Sequence, residues 1–186
     1  MPIIQTPIKD LVIYEPKVFH DDRGYFFESY NKQSFEKELG YSINFVQDNQ
    51  ARSVKNVLRG LHFQNHPQGQ TKLIRVLEGT IWDVAVDLRT GSETYGKWFG
   101  VELSAENRKT LLLPRGFAHG FLTLKDHTIF TYKCTDYYAP ETEGAVRWDS
   151  CGIDWPLSVD PILSDKDATA PALADFRSPF IYGENS

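Results

Sequence analysis

Short apolar stretches separated by turn-forming residues recur through the middle of the chain. In segment 80–88 the tryptophan, the valines and the leucine alternate with Asp83 and Asp87, which is the two-residue period of a β-strand. Further strands are predicted at 71–77, 97–103, 109–113, 117–124 and 127–134. Pairs of turn formers such as Glu78-Gly79 and Thr90-Gly91 stand between them. Strands that recur about every ten residues are typical of a β-sandwich or a β-barrel.

Two helices are predicted outside this run of strands. In 31–39, Asn31 is placed to cap the first turn and Gly40 to end the helix. The polar stretch 164–175 predicts a shorter helix. No internal repeat, low-complexity tract or long linker interrupts the chain. The sequence therefore predicts one all-β domain over residues 1–186, a jelly-roll β-sandwich with a few short peripheral helices.

Composition narrows the classes of partner. The 186-residue chain is 41% hydrophobic, which allows a substantial core, and its formal net charge is -5. That charge gives no general attraction for nucleic acid or an anionic membrane, so we expect neither as a partner. Cys134 and Cys151 are too few for a disulfide framework, and no segment has the apolar length of a membrane span or a signal sequence. We expect a cytoplasmic protein that binds a small molecule.

The densest polar cluster is segment 58–64, Leu-Arg-Gly-Leu-His-Phe-Gln, which Lys72 follows in a strand-like run. In a regular strand Arg59 and Leu61 would share one face, and His62 would lie on the opposite face. A histidine at this position either points into the barrel as a functional group or is a structural residue of the interior whose ring nitrogens are hydrogen-bonded by its neighbours. The segment alone favours the second interpretation.

A second cluster lies at 114–121, where His119 alternates with Phe117 and Phe121 on one strand face. Its Pro-x-Gly-x-x-His pattern resembles the opening of the second cupin motif. The first cupin motif usually supplies two histidines and a glutamate as metal ligands, but here Gln64 stands in place of the second histidine. Because a divalent transition metal normally needs three or more convergent ligands, we expect a cupin-like barrel without a metal.

Tyr132 is the third candidate, and it shares a strand face with Phe130 and Cys134. Tyrosines in strands usually pack with a solvated hydroxyl. An inward phenol that faces an inward histidine would instead form an acid and base pair across one pocket. The charged stretch 163–167 does not by itself predict a functional site, since charged residues near a chain end are mostly solvated.

Taken in order, these segments resemble the dTDP-4-dehydrorhamnose 3,5-epimerase family. The resemblance runs from Phe19 to Asp167 and rests on several ordered motifs, at 19–28, 45–49, 58–64, 114–121, 132–133 and 163–167. It implies a cofactor-independent isomerase of dTDP-L-rhamnose synthesis. Its substrate would be a dTDP-4-keto-6-deoxyhexose whose C3 and C5 are inverted through enolate intermediates.

The resemblance also implies roles for four residues. His62 is the general base, and Asp167 is the carboxylate that orients it. Tyr132 is the acid on the opposite face of the sugar, and Lys72 stabilises the enolate. Inversion requires a proton to leave one face and another to arrive on the other, which a histidine and tyrosine pair provides. An ammonium group shielded from water would stabilise the developing oxyanion.

The substrate-binding residues implied by the resemblance are more numerous. They are Phe19, Arg23, Phe26, Glu28, Gln47, Asp48, Asn49, Arg59, Lys72, His119, Tyr138, Glu143 and Lys166. Arginine forks suit diphosphate oxygens, and amides suit a pyrimidine edge. Phe19, Phe26 and Phe27 either stack on or wall the thymine or are ordinary strand packing. The resemblance further implies a homodimer with exchanged N-terminal strands, in which Arg23 and Glu28 complete the neighbour's site.

Three alternatives remain open. A related enzyme that inverts only C3 or only C5 of another dTDP-deoxysugar would need the same residues. A non-catalytic binding protein would keep the pocket, but binding alone does not need Tyr132 opposite His62. A metal-dependent cupin oxygenase is disfavoured by Gln64.

Overall fold

The computed structural model describes residues 3–183, which form thirteen strands and two short α-helices within that range. The strands are β1 (Ile3–Gln5), β2 (Val12–Tyr14), β3 (Phe19–Asp21), β4 (Gly24–Phe26), β5 (Gln47–Ser53), β6 (Leu58–Gln64), β7 (Lys72–Glu78), β8 (Thr80–Asp87), β9 (Trp98–Ser104), β10 (Thr110–Leu113), β11 (Phe117–Thr123), β12 (Thr128–Cys134) and β13 (Glu143–Ala145). The helices are α1 (Lys32–Leu39) and α2 (Asp165–Thr169). All six strands predicted from apolar periodicity are confirmed, with bounds that shift by a residue or so.

Two antiparallel sheets face each other. One has the strand order β1-β2-β10-β7-β12-β5, and the other has the order β13-β6-β11-β8-β9. From β5 onward the chain crosses repeatedly between the sheets, so that sequence neighbours such as β6 and β7 lie in opposite layers. Strands β3 and β4 form a separate two-stranded hairpin. This architecture confirms the predicted all-β jelly-roll sandwich.

Apolar side chains fill the space between the sheets. The central cluster joins both layers and includes Ile74 and Phe130 from one sheet and Ile81, Ala85 and Phe121 from the other. A second cluster lies outside the five-stranded sheet, beneath the C-terminal segment, and a third lies outside the six-stranded sheet, beneath α1. Because both faces of each sheet are covered over much of their area, apolar residues occupy both sides of several strands.

Strand β8 illustrates that burial. Its valines pack outward under the C-terminal segment, whereas Asp83 and Asp87 lie on the inner face and are fully buried. Asp87 is bonded to Arg89, Ser92 and Thr94. The alternation therefore predicted a strand correctly, but its polar face is an interior face rather than a solvent face.

Helix α1 is confirmed with the predicted ends. The side chain of Asn31 accepts a hydrogen bond from Ser34 N, and Gly40 adopts the left-handed conformation that ends the helix. In the predicted region 164–175, α2 stops at Thr169, and a single 3-10 turn follows at Leu173–Asp175. Pro171 explains the break, because the residue before a proline is disfavoured in helical conformation. No helix within residues 3–183 is long and apolar enough to cross a bilayer.

A bulge interrupts β6 at the densest polar cluster. On β11 the partners His119 and Phe121 are two residues apart, but they pair with His62 and Arg59, which are three apart. The extra residue lies at Gly60, which has a φ of 119°. Arg59 and His62 therefore lie on the same side of their sheet, although Arg59 remains exposed to solvent. The prediction that they lie on opposite faces was wrong, because it assumed a regular strand.

Candidate active site

An interior cavity of about 180 Å³ lies between the two sheets. Its polar lining combines Arg59, His62 and His119 from the five-stranded sheet with Lys72 and Tyr132 from the six-stranded sheet. Its apolar lining is Ala51, Phe121 and Phe130. The cavity thus brings together candidates from three separated sequence clusters, and His62 and Tyr132 approach it from opposite layers.

His62 contacts a buried carboxylate. Its Nε2 lies 2.6 Å from Oδ1 of Asp167 on α2, and Gly60 N donates to the same oxygen at 3.2 Å. Ser164 Oγ donates to the other carboxylate oxygen at 2.7 Å. Burial raises the pKa of Asp167, but the bonds from His62 and Ser164 outweigh it and hold that pKa below its usual value. Asp167 is therefore an anion placed to fix the imidazole ring and to stabilise its protonated form.

Lys72 begins β7 and points between the sheets. Its Nζ lies 5.9 Å from the centroid of the Tyr132 ring. Burial lowers the pKa of Lys72, and the nearby Cys134, Asp83 and Glu143 offset part of that effect. The cavity consequently contains a partly desolvated cation, which is the kind of group that stabilises a developing oxyanion.

Tyr132 is half-buried on β12 and stacks on Phe130, with ring centroids 6.0 Å apart. Burial raises the pKa of the Tyr132 phenol, and Cys134 adds to the effect. The phenol therefore stays protonated at neutral pH, as a proton donor must.

His119 has a carboxylate partner that sequence reasoning missed. Asp83 Oδ2 lies 3.0 Å from His119 Nε2, and Asp83 is fully buried on β8. A buried carboxylate needs a hydrogen-bonding or ionic partner. An aspartate between apolar residues of a predicted strand could therefore have indicated that Asp83 has such a partner. The two histidines of the cavity lie on the neighbouring strands β6 and β11, and each therefore has a carboxylate partner, Asp167 for His62 and Asp83 for His119.

Several predicted substrate-binding residues form a bonded group beside the cavity strands β5 and β6, and we call this group the rim. Glu143 on β13 accepts from Lys166 Nζ at 2.5 Å and from the Tyr138 hydroxyl at 3.2 Å. Gln47 Oε1 on β5 accepts from Tyr138 N at 2.9 Å. These bonds join the edges of both sheets to α2. A polar rim with an exposed aromatic ring is suited to a ligand that extends outward from the cavity.

The three consecutive positions on β5 do not all point the same way. Gln47 Nε2 donates to Asn49 Oδ1 at 3.0 Å, and Asn49 Nδ2 donates to Cys134 Sγ at 3.6 Å on the inner face. Asp48 lies on the outer face, where its carboxylate is bonded to Lys133 Nζ at 2.9 Å. The structure therefore brings Gln47 and Asn49 towards the site and directs the Asp48 side chain away from it.

The β3–β4 hairpin carries predicted ligands that do not line the cavity of their own chain. Phe19 is 53% and Phe26 is 71% exposed, and the Arg23 guanidinium is bonded only locally, to Asp21. Glu28, after the hairpin, accepts from Asn31 Nδ2. The hairpin thus presents aromatic and charged side chains to the surroundings of the chain.

Gln64 is hydrogen-bonded to the backbone of two loops, which indicates a structural role. Its Nε2 donates to the carbonyls of Gln68 and Tyr137, at 2.7 and 3.1 Å, and its Oε1 accepts from Ala139 N at 3.0 Å. Within residues 3–183, no three His, Cys, Asp or Glu side chains come together as a metal-binding group. Gln64 therefore anchors two loops beside the site.

Comparison with known proteins identifies the family of the chain. The family model for dTDP-4-dehydrorhamnose 3,5-epimerase matches residues 5–175. The chain is 55% identical over 175 residues to the dTDP-4-dehydrorhamnose 3,5-epimerase of Salmonella typhimurium, with 93% of this chain and 96% of that protein covered.

Solved structures of related enzymes share the fold of the chain. The dTDP-6-deoxy-D-glucose-3,5-epimerase of Legionella pneumophila, in complex with dTDP-4-keto-L-rhamnose, has a TM-score of 0.91 and 49% identity, with 95% of this chain and 94% of that chain covered. ChmJ, a 3'-monoepimerase of Streptomyces bikiniensis in complex with dTDP-quinovose, has a TM-score of 0.87 and 36% identity, with 91% and 86% covered. The match extends over nearly the whole chain, and the chain belongs to the dTDP-4-dehydrorhamnose 3,5-epimerase family.

Proposed function

We propose that this chain is a dTDP-4-dehydrorhamnose 3,5-epimerase, an isomerase that converts dTDP-4-keto-6-deoxy-D-glucose to dTDP-4-keto-L-rhamnose. The observation that carries the proposal is the placement of His62 and Tyr132 on facing sheets around one cavity that also contains Lys72. A base and an acid on opposite sides of a sugar ring are what stereochemical inversion requires.

In the proposed reaction His62 removes the proton from C3 or C5 of the sugar. The electron pair of the broken C–H bond moves into an enolate whose negative charge lies on the C4 oxygen. Asp167 keeps the imidazole oriented and stabilises the imidazolium that forms.

The proposed roles of Lys72 and Tyr132 follow from the enolate. The Lys72 ammonium stabilises the C4 oxyanion, since a cation in a partly desolvated site acts strongly on a developing charge. Tyr132 donates its phenolic proton to the carbon from the face opposite His62, which inverts the centre. The same cycle at the second carbon gives the 3,5-epimerised product, and proton transfers return both residues to their starting states.

The nucleotide part of the substrate is proposed to lie along the rim. Arg59 and Lys166 would bind the diphosphate, and the Tyr138 ring, which is 57% exposed, would stack against the thymine. Gln47 and Asn49 supply amide groups to the base or the deoxyribose.

We propose that two copies complete each other's sites. The exposed Phe19, Arg23 and Phe26 of the hairpin and the following Glu28 would then reach the partner's nucleotide, because they do not line the cavity of their own chain. We also propose that residues 1–186 act as one domain. A cytoplasmic location fits the two unpaired thiols of Cys134 and Cys151.

The test is proton NMR of dTDP-4-keto-6-deoxyglucose incubated with the protein in deuterated water. Wild-type protein should exchange the protons at both C3 and C5 and form the epimerised product. His62→Ala should slow the exchange by about a hundredfold or more, since general base catalysis contributes that much. Tyr132→Phe should still exchange protons through His62 but should lose most of the inversion. No exchange with wild-type protein would contradict the proposed function.

Matched controls separate these effects from general damage. His127→Ala removes an exposed histidine bonded to Arg52, and Tyr95→Phe alters an exposed tyrosine. Both residues lie outside the cavity, so both variants should exchange protons at the wild-type rate. If they lost activity as fully as the His62 and Tyr132 variants, the assignment of acid and base would fail.

A monoepimerase is the second candidate, favoured by the similarity to ChmJ. Its distinguishing result in the same experiment is exchange at one carbon only. Wild-type exchange at both carbons would exclude it.

The proposed site sharing is tested by mixing two inactive variants, His62→Ala and Arg23→Glu. A mixed dimer would contain one site with both defects and one site with neither. Random exchange of subunits should therefore restore about a quarter of the wild-type activity, because half the dimers are mixed and each has one intact site. If Arg23 served its own chain, mixing would restore nothing.

A further inference from the structure

The hydroxyl of Ser164 makes two hydrogen bonds to Asp167. Ser164 Oγ donates to Asp167 Oδ2 at 2.7 Å and accepts from Asp167 N at 3.2 Å. The second bond is the N-cap of α2. The first has no part in capping, since it joins the serine to the carboxylate that contacts His62.

We propose that Ser164 is a positioning residue of this site, which fixes the Asp167 carboxylate so that its Oδ1 faces His62. The inference rests on the proposed function, because it assigns a purpose to the pair of His62 and Asp167. Ser164 is not among the cavity residues and acts through Asp167.

The distribution of donors around Asp167 supports the proposal. Oδ1 is contacted by His62 Nε2 at 2.6 Å and accepts from Gly60 N at 3.2 Å, so both contacts to this oxygen come from β6. Oδ2 accepts from Ser164. Asp167 is only 3% exposed, so water cannot readily replace a lost donor. Among residues 3–183, Ser164 makes the one hydrogen bond to Oδ2, so loss of its hydroxyl would free the carboxylate to rotate and the imidazole would lose its fixed partner.

Helix capping is the ordinary explanation of a serine at this position. Capping and the proposed role can be distinguished by substitutions that keep the cap but remove the hydrogen-bond donor. Glycine at an N-cap is only slightly less stabilising than serine, and aspartate caps as well as serine does. Neither side chain donates a hydrogen bond to Asp167 at neutral pH. Threonine retains both the cap and the donor.

Loss of the Ser164 hydroxyl should also alter the pH dependence of kcat/KM. The bond from Ser164 helps to lower the pKa of Asp167, so without it the Asp167 anion is less stable and the carboxylate takes up a proton more easily. The acid limb of kcat/KM should therefore move to higher pH. The other titratable groups around the pair are Arg59 on β6, Lys72 on β7, His119 on β11, Tyr132 on β12, Glu143 on β13, and Asp165 and Lys166 on α2. All are unchanged in these variants. Ser164→Asp also adds a carboxylate beside Asp167, which moves the acid limb in the same direction, so Ser164→Gly is the variant that isolates the lost donor.

The experiment measures kcat, KM, the pH profile and the midpoint of thermal unfolding for Ser164→Gly, Ser164→Asp and Ser164→Thr. Ser164→Gly and Ser164→Asp should each lower kcat about tenfold, as expected for a lost hydrogen bond to a charged group. Their KM should stay within twofold of wild type, because Ser164 does not line the cavity. The acid limb of their kcat/KM profile should move to higher pH. Ser164→Thr should retain most of kcat. Thr169→Ala is the matched control, since it removes one hydroxyl bond, to Asp165 O, from the same helix.

Wild-type kcat in Ser164→Gly or Ser164→Asp would overturn the proposal and leave Ser164 as a helix cap. A fall in kcat that follows thermal stability across all four variants, Thr169→Ala included, would also overturn it. Failure of the wild-type protein itself to exchange substrate protons would instead contradict the proposed function, so the two failures are distinguishable.

Discussion

Gly60 packs directly against Gly120 across the two strands that carry the histidines. A Cβ added to Gly60 would lie 2.5 Å from Gly120 Cα and 2.6 Å from the carbonyl oxygen of His119. Gly60 also has a φ of 119°, which side-chain-bearing residues rarely adopt. This contact allows the bulge that turns Arg59 and His62 to the same side.

Gly60→Ala should therefore lower the free energy of unfolding by about 2–4 kcal/mol, since it combines backbone strain with a backbone clash. It should also reduce activity, because His62 is two residues away. Urea denaturation measures the first effect. Gly152→Ala is the control, since its φ is 65° but nothing lies within 4 Å of the added Cβ, and it should cost only about 1 kcal/mol. Equal costs for the two variants would show that the close contact is unimportant.

Sequence periodicity was sufficient for the fold because the strands between Lys72 and Cys134 have regular apolar patterns. It was insufficient for β5, Gln47–Ser53, which has few apolar residues because it is an edge strand beside the cavity. It also misplaced Arg59 relative to His62, since a bulge created by one glycine reverses the alternation of faces.

The candidate site depended on long-range pairing that periodicity does not encode. His62 and Asp167 are far apart in the chain, and only the family resemblance brought them together before the structure did. Asp83 was recognised as part of a strand but not as the partner of His119, because alternation does not reveal whether a polar face is solvated or interior.

Asp83→Asn should lower the activity of the site, since it removes the Asp83 charge while keeping the side chain almost the same size. The Asp83 charge raises the pKa of Lys72 against the effect of burial. Its removal should let Lys72 lose its proton at a lower pH, so the alkaline limb of kcat/KM should move down. Loss of the His119 partner should also lower kcat/KM about tenfold or more. A pH profile of initial rates measures both effects, with the exposed Asp160→Asn as the control. An unmoved alkaline limb would contradict this coupling.

Asp87 and Arg89 should make stability depend on pH. Burial raises the pKa of Asp87, but hydrogen bonds from Arg89, Ser92 and Thr94 outweigh it and leave that pKa below the ordinary 3.8. A carboxyl whose pKa is lowered by folding stabilises the folded state above its ordinary pKa and loses that contribution as pH falls through the folded value.

Asp87→Asn should accordingly cost about 3 kcal/mol at neutral pH, because it leaves the buried Arg89 with only the partly exposed Asp10 as a carboxylate partner. The difference between wild type and variant should shrink below pH 4 or so, as wild-type Asp87 becomes protonated. Urea denaturation at a series of pH values tests this. A constant difference down to the acid limit would show that charge is not the cause.

Gln64 ties the loop after β6 to the loop that carries Tyr138, through three hydrogen bonds to backbone atoms. Two of these require an N–H donor, directed at the carbonyls of Gln68 and Tyr137. A glutamate has nearly the same shape but no donor when ionised, and it would place negative charge beside two carbonyl oxygens. The change should therefore release the loop with Tyr138 while leaving His62 and Lys72 in place.

Gln64→Glu should raise KM about tenfold, because Tyr138 is proposed to bind the nucleotide, and should leave kcat within about twofold, because the acid, base and enolate groups lie elsewhere. Steady-state kinetics and calorimetric titration with dTDP measure the two effects separately. Gln33→Glu, on the exposed side of α1, makes the same chemical change and should alter neither. A fall in kcat with unchanged dTDP affinity would mean that Gln64 supports the catalytic groups rather than the rim.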